Sequence, residues 1–295
     1  MKTCARWAAT LKIRPGFDWV ARSKTGTSYD LTGPIGAPAL VLLHGLGLTR
    51  AMWDAIVPDF AQEYRVLTYD LCGHGQSALP KEKPSLTVLS DQLAALLDEL
   101  RAARATIIGF SLGGMINRRF AMDHPSRVEA LVVLNSPHER SPEAQRLVES
   151  RAAQTDAGGP SATIDSTLER WFTPQFRQGA PNVVATVRAL VLANDPGNYT
   201  RHRQVLANGV VELIRPAPPI TVPTLVMTCE HDSGSTPAMT HTIASEIAGA
   251  QTVIVPSLQH LGLIERPDLF NQSILPFLSH NLQHLPRNGT AGWVP

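Results

Sequence analysis

A serine hydroxyl attacks a carbonyl at neutral pH only when a base takes its proton and a carboxylate holds that base in place. The run Gly109-Phe110-Ser111-Leu112-Gly113-Gly114 offers such a serine. Ala105-Thr106-Ile107-Ile108 before it is apolar and β-rich, and Met115–Met122 after it can continue as a helix. A Gly-x-Ser-x-Gly at a strand-to-helix turn forms a nucleophile elbow. The turn needs small neighbours, which Gly109 and Gly113 provide. Composition alone supplies this pattern in roughly one chain in ten of this length, so its meaning rests on the partners downstream.

Asp232 is the expected carboxylate. It follows the run Pro223–Cys229, just past the carboxyl end of a candidate strand, where α/β sheets build their sites. Asp232-Ser233-Gly234 is also good turn chemistry, and Glu230 is the fallback. His260 is the expected base, because it follows the last candidate strand and precedes the loop into the last helix; His231, beside Asp232, is its rival. The order Ser111, Asp232, His260 is the chain order of an α/β-hydrolase-type triad. His44-Gly45-Leu46-Gly47 ends an earlier strand. Its small residues let a backbone N–H point at the site, so the N–H groups of Leu46 and Leu112 are the expected oxyanion donors. His44 is read as structural. So is His74, within the glycine-rich loop Asp70–Ser77, which lacks the spacing of a metal or phosphate site.

The elements that must carry these residues alternate. Candidate strands are Phe17–Arg22, Ser28–Leu31, Ala39–His44, Arg65–Tyr69, Ala105–Gly109, Ala130–Asn135, Thr224–Cys229 and Thr252–Val255. Candidate helices are Met52–Glu63, Leu86–Leu100, Leu112–Asp123, Pro237–Ile247 and Pro267–Phe277. Strands with helices between them imply an α/β fold with a mostly parallel sheet. From Pro137 to Pro219 no strand is expected. Helical stretches near 142–156, 162–172, 181–193 and 199–214, punctuated by Gly and Pro, read as a helical cap inserted between two strands. The domains are then a discontinuous core, 1–136 and 220–295, and a cap, 137–219.

Composition sets the outer limits. The 295 residues suffice for one α/β domain with an insertion. With 26 basic and 25 acidic residues and a formal net charge of +1, the chain has no basic run that would suit nucleic acid or an acidic membrane surface. Cys4, Cys72 and Cys229 lack zinc or CxxC spacing, and their odd number fits a reducing, cytoplasmic setting better than a disulfide framework. No apolar run reaches the roughly 18 residues a membrane span needs. Met1–Arg14 lacks a signal-peptide core and reads as a ragged extension, and His280–Pro295 reads as a loose tail. No cofactor and no metal are expected.

Together His44-Gly45-x-Gly47, Asp70-x-x-Gly73-x-Gly75-x-Ser77, Gly109-x-Ser111-x-Gly113-Gly114, Asp232 and His260 resemble the α/β-hydrolase superfamily over about residues 17–280. The resemblance implies an eight-stranded, mostly parallel sheet flanked by helices, with a helical cap between strands six and seven. Leu168–Pro174 and Asn194–Tyr199 look like the corresponding stretches of 3-oxoadipate enol-lactonases. Those enzymes commonly carry Asn-Ser at His44-Gly45, Gly at Cys229 and Gly-Leu-Ser-Met-Gly at the elbow. Haloalkane dehalogenases place Asp at the nucleophile position, which Ser111 does not match.

The expected activity is therefore hydrolysis of a small ester or lactone through an acyl-enzyme on Ser111. C–C bond hydrolysis of an aromatic ring-cleavage product is the alternative, and a hydrolase-fold protein that only binds a ligand is the third reading. Trp53, Phe110, Met115, His138, Trp171 and Phe172 are candidate walls of the substrate pocket, each equally able to be ordinary packing. The lactonase resemblance implies an anionic substrate, for which Arg170 and Arg177 are available. The partner is a small-molecule substrate, and a homodimer is compatible with the sequence.

Overall fold

The computed structural model describes residues 21–283. Eight strands form one sheet: β1 (Ala21–Arg22), β2 (Ser28–Thr32), β3 (Ala39–Leu43), β4 (Arg65–Tyr69), β5 (Ala105–Phe110), β6 (Val128–Leu134), β7 (Thr224–Cys229) and β8 (Gln251–Val255). Their order across the sheet is β1-β2-β4-β3-β5-β6-β7-β8. The first two run antiparallel to their neighbours, and β3 to β8 are mutually parallel. The central strands are apolar on both faces because helices cover both. Leu40 to Leu43, Ile107, Ile108 and Ala130 to Leu134 are all buried.

The expected strands over β4 and β7 match at both ends and the others differ by at most two residues at an end, except the first, of which only Ala21–Arg22 falls within the described residues. The proposed extension Met1–Arg14 and nearly all of the tail lie outside them. Four helices of the core follow the expected pattern: α1 (Leu86–Glu99), α2 (Leu112–Asp123), α8 (Pro237–Ser245) and α9 (Pro267–Asn281). The single helix expected over Met52–Glu63 is instead a 3-10 turn, Arg50–Trp53, and a short helix, Val57–Phe60. Pro58 has no N–H to continue a helix from the preceding turn, so the chain restarts with Pro58 in its first turn.

Between β6 and β7 run α3 (Pro142–Gly158), α4 (Ile164–Trp171), α5 (Pro174–Gly179), α6 (Pro181–Leu192) and α7 (Pro196–Asn208), and no strand. The helix α5 was not expected. Thr173 makes it, because its hydroxyl accepts the Phe176 N–H at 3.2 Å while Pro174 presets the first turn.

The chain leaves β3 toward β4 on one side, then returns to lay β5 against the other side of β3. A parallel sheet with such a reversal opens a crevice at the carboxyl ends of the two strands. Gly45 and Leu46 follow β3 there, and Ser111 follows β5.

Candidate active site

Ser111 sits at φ +56°, a left-handed conformation that costs any L residue and that only a tightly built turn sustains. The two flanking glycines are forced by contact. A Cβ on Gly109 would lie 2.1 Å from the Gly113 carbonyl oxygen, and one on Gly113 would lie 2.3 Å from the Leu43 carbonyl oxygen. Close packing of α2 on β5 and β3 therefore requires glycine at both, and it delivers Ser111 to the crevice.

His260, after β8, reaches Ser111 with Nε2 3.2 Å from Oγ. Its Nδ1 lies 2.6 Å from Asp232 Oδ2. Asp232 Oδ2 also accepts the Asn135 side-chain amide at 2.9 Å, and Oδ1 accepts the Gly234 and Ser235 N–H groups, each at 2.9 Å. Burial alone would raise the Asp232 pKa. The attraction of His260 and the donors from His260, Asn135 and Ser235 outweigh it, and the carboxyl is held below its ordinary value. An ionised carboxylate only accepts, so Nδ1 of a neutral His260 must carry the proton. The Nε2 lone pair is then left to accept the Ser111 hydroxyl proton.

Asn135 was not foreseen beyond its place at a strand end. It stands at φ +46° immediately after β6 and is fully buried. Its amide bridges Asp232 and the Thr228 hydroxyl, the latter at 3.2 Å. Nothing in the sequence pattern marks it, because its role depends on β6 and β7 lying side by side. The fallback residues lie elsewhere. Glu230 and His231 are both largely exposed, with Glu230 Oε2 accepting the Ser257 N–H at 2.8 Å.

The loop after β3 is held from beneath. The Leu71 N–H donates to His44 Nε2 at 2.9 Å, so in the neutral ring Nδ1 carries the proton and donates to the Gly45 carbonyl at 2.8 Å. Burial lowers the pKa of His44, which favours that neutral ring. The Gly45 oxygen and the Leu46 N–H belong to one planar trans peptide and point in opposite directions. Fixing the oxygen against His44 thus turns the Leu46 N–H the other way. Leu112 is the first residue of α2, so its N–H has no helical acceptor behind it. The loop Asp70–Ser77 braces the same region. Asp70 is buried and ion-paired with Arg50, and it accepts the Arg50 and Gln76 N–H groups, each at 2.9 Å. His74 packs edge-on between His44 and His202. Among the described residues no cluster of His, Cys, Asp or Glu is arranged to hold a metal ion.

A cavity opens over Ser111, and the sheet edge and the 137–219 segment line it together. Of the six wall candidates, Phe110 and Trp171 line it, and both rings pack on His260, with centroids 5.0 and 6.0 Å away. The other four lie off the wall. Trp53 and Met115 are fully buried core residues, as expected of large apolar groups under a sheet edge. His138 is turned to Glu246, 3.1 Å from its Nε2, and Phe172 stacks on Phe176. Arg170 lines the cavity and Arg177 does not. Arg140, Arg151 and Arg203 also line it, which the sequence did not signal.

The 137–219 segment is tied to the His260 loop. The Leu261 N–H donates to the Trp171 carbonyl at 2.8 Å, and Glu265 accepts the Thr173 N–H and hydroxyl at 2.8 and 2.7 Å.

The alpha/beta hydrolase fold family model matches residues 38–267, most of the chain and every residue of this site. The chain belongs to this family. As an alpha/beta hydrolase it is similar to 3-oxoadipate enol-lactonase 2 of Acinetobacter baylyi, with 28% identity over 87% of this chain and 94% of that protein. It is 28% identical to a putative carbamate hydrolase of Stutzerimonas stutzeri, over 85% of this chain and 96% of that protein. Among solved structures it is similar to the enol-lactonase from Burkholderia xenovorans LB400. The TM-score is 0.79 and the identity 33%, covering 86% of this chain and 96% of that one. This alpha/beta hydrolase is an enzyme of the hydrolase class.

Proposed function

We propose that this hydrolase cleaves a small carboxylic ester or lactone through an acyl-enzyme on Ser111. The observation that carries the reading is His260 bonded at both ends, with Nδ1 on Asp232 and Nε2 on the Ser111 hydroxyl. Ser111 Oγ attacks the carbonyl carbon as its proton passes to His260 Nε2, and Asp232 stabilises the imidazolium. The N–H groups of Leu46 and Leu112 receive the negative charge that develops on the carbonyl oxygen. His260 then protonates the leaving oxygen, which in a lactone stays tethered to the acyl group. Finally His260 takes a proton from water, which attacks the acyl-enzyme and frees Ser111. The 137–219 segment acts as a cap that shapes the pocket, with Phe110 and Trp171 as its aromatic walls. The enol-lactonase relatives support a lactone or enol ester over a simple alkyl ester. The free thiols of Cys72 and Cys229 suit a reducing compartment.

The test compares wild type and Ser111→Ala on an enol-lactone, a simple lactone, p-nitrophenyl esters of graded chain length and a vinylogous diketone from aromatic ring cleavage. Ser111→Ala should remain folded and lose about 10⁴-fold or more in kcat, and a fluorophosphonate probe should label only the wild type. Most of the ester activity surviving in Ser111→Ala sinks the assignment. Preferential turnover of the diketone moves the reading to C–C hydrolysis. Folded wild type that neither turns over nor labels is a binding protein on this fold.

A further inference from the structure

Four arginines converge on the cavity over Ser111: Arg140, Arg151 from α3, Arg170 from α4 and Arg203 from α7. The one carboxylate in the lining is Asp232, already held by four donors. None of the four guanidinium groups has an ion pair among the described residues, although seven other arginines do. Arg203 is only 6% exposed, and its Nε has no hydrogen-bond partner. The Nε groups of Arg140 and Arg170 are likewise buried and unpartnered. What the side chains do touch is neutral. Arg140 donates to Gln145 and to the carbonyls of Leu206 and Ala207, and Arg170 donates to Thr167.

Buried cations without an anion are costly, since desolvation is uncompensated and like charges repel. Burial first and the neighbouring arginine charges second push Arg140 and Arg170 down to about 10. Among the described residues off the cavity, Arg50 is paired with both Asp30 and Asp70, and the buried Arg118, without an ion pair, donates to Gly114, Ser136 and Pro137. What sets the cavity arginines apart is that four of them, none with such an ion pair, line one open space with the nucleophile. A guanidinium fork binds a carboxylate or phosphate through two parallel hydrogen bonds. Four of them exceed what a single carboxylate can use.

We infer that Arg140, Arg151, Arg170 and Arg203 form a subsite for an acyl substrate that carries two negative charges in addition to the bond being cleaved. The inference rests on the ester or lactone reading and narrows its substrate class to dianions, either two carboxylates or one phosphate-type group.

Binding can be measured without turnover, by calorimetry on Ser111→Ala protein with free acids that mimic the released acyl product. Butyrate carries the product carboxylate alone, glutarate adds one, tricarballylate adds two, and 4-phosphonobutyrate adds a phosphonate. Affinity should rise about tenfold with each added charge and fall as salt is raised. Arg203→Gln and Arg151→Gln, each added to Ser111→Ala, should weaken tricarballylate at least about tenfold more than butyrate. Arg151 is half-buried on α3, so it serves if Arg203→Gln fails to fold. Tighter binding of phosphonobutyrate than tricarballylate assigns the phosphate-type dianion, and the reverse assigns two carboxylates. Equal affinity for butyrate and tricarballylate overturns the inference. If a neutral p-nitrophenyl ester is turned over in a Ser111-dependent way while this ladder is flat, the subsite fails and the hydrolase reading stands. If the ladder holds while Ser111→Ala keeps its activity, the reverse is true.

Discussion

At the carboxyl edge of the sheet the two buried aspartates each have a basic counterpart, whereas across the cavity the 137–219 segment presents four arginines without an ion pair among the described residues. Asp232 is met by His260, Asn135 and two backbone N–H groups, and Asp70 is met by Arg50. Arg140 and Arg170 donate hydrogen bonds only to neutral groups, and none of Arg140, Arg151, Arg170 and Arg203 has an ion pair among the described residues, although Arg170 feels the charge of Asp232 across the cavity. Matched charges lock geometry, because removing either partner strands the other in a poor solvent. Charges without an acidic partner gain most when an anionic ligand arrives. On the proposed reading, one side of the cavity holds the reactive arrangement and the other selects what reaches it.

That contrast can be broken at several points besides Ser111 itself. Asn135 is the strongest, because it supports the ionised Asp232 without touching the nucleophile. Asn135→Gly keeps the left-handed backbone at no steric cost and deletes the donor. A hydrogen bond to an ionised group is worth about 1.5–3 kcal/mol, so kcat should fall roughly 10- to 100-fold while KM holds. Steady-state kinetics on any turned-over ester checks this, and an equal rise in KM would place Asn135 in substrate binding instead.

The histidines beneath the sheet edge should give the next effect, in stability rather than rate. Burial holds His202 down at about 4 and His74 well below its usual value, so both stay neutral in the fold. Unfolded imidazoles take up protons as pH falls through about 6.5. The unfolded state then binds more protons than the folded one, and stability drops as pH falls from about 6.5 toward 4. His202 alone should contribute about 3 kcal/mol of that loss. Calorimetric unfolding between pH 7.5 and 4 measures it, and His202→Gln should flatten the decline. An unchanged pH slope in that variant would show that His202 takes up its proton in the folded state.

The smallest effect sharpens the boundary of the arginine set. Arg177 lies in the same segment but off the cavity wall. Arg177→Gln should leave kcat/KM for anionic substrates within about twofold, the usual range for a surface change. A loss as large as that of Arg151→Gln would mean the electrostatic field of the whole segment, and not the lining groups, does the selecting.

Much of the fold was legible because its signals are local. Apolar runs such as Leu40–Leu43 and Ile107–Ile108 mark strands covered on both faces. Residues just past them fall on one edge of a parallel sheet whatever the loops between them do. Ser111, Asp232 and His260 were therefore placed on that edge from the sequence, and the structure brings them within hydrogen-bond reach. The break at Pro58 and the helix α5 were missed because each turns on one residue's hydrogen bonds. Pro58 lacks a donor, and Thr173 supplies an acceptor.

The wall of the cavity was hard to read for a different reason. Trp53, Met115, His138 and Phe172 have the same residue types as true wall groups. Whether a side chain on a helix faces a pocket or a neighbour depends on rotations of a few tens of degrees, which packing sets. Arg201 and Arg203 show this within three residues of α7, the first exposed and the second buried at the cavity.

Glycine sterics and strand periodicity act over short distances, so the sheet, the serine turn and the order of the reactive side chains can be read from the residues alone. The support of Asp232 by Asn135, the turning of the Leu46 peptide by His44 and the meeting of four arginines in one cavity come from the folded packing. Those depend on which elements lie side by side, and burial gives the charges there their strength.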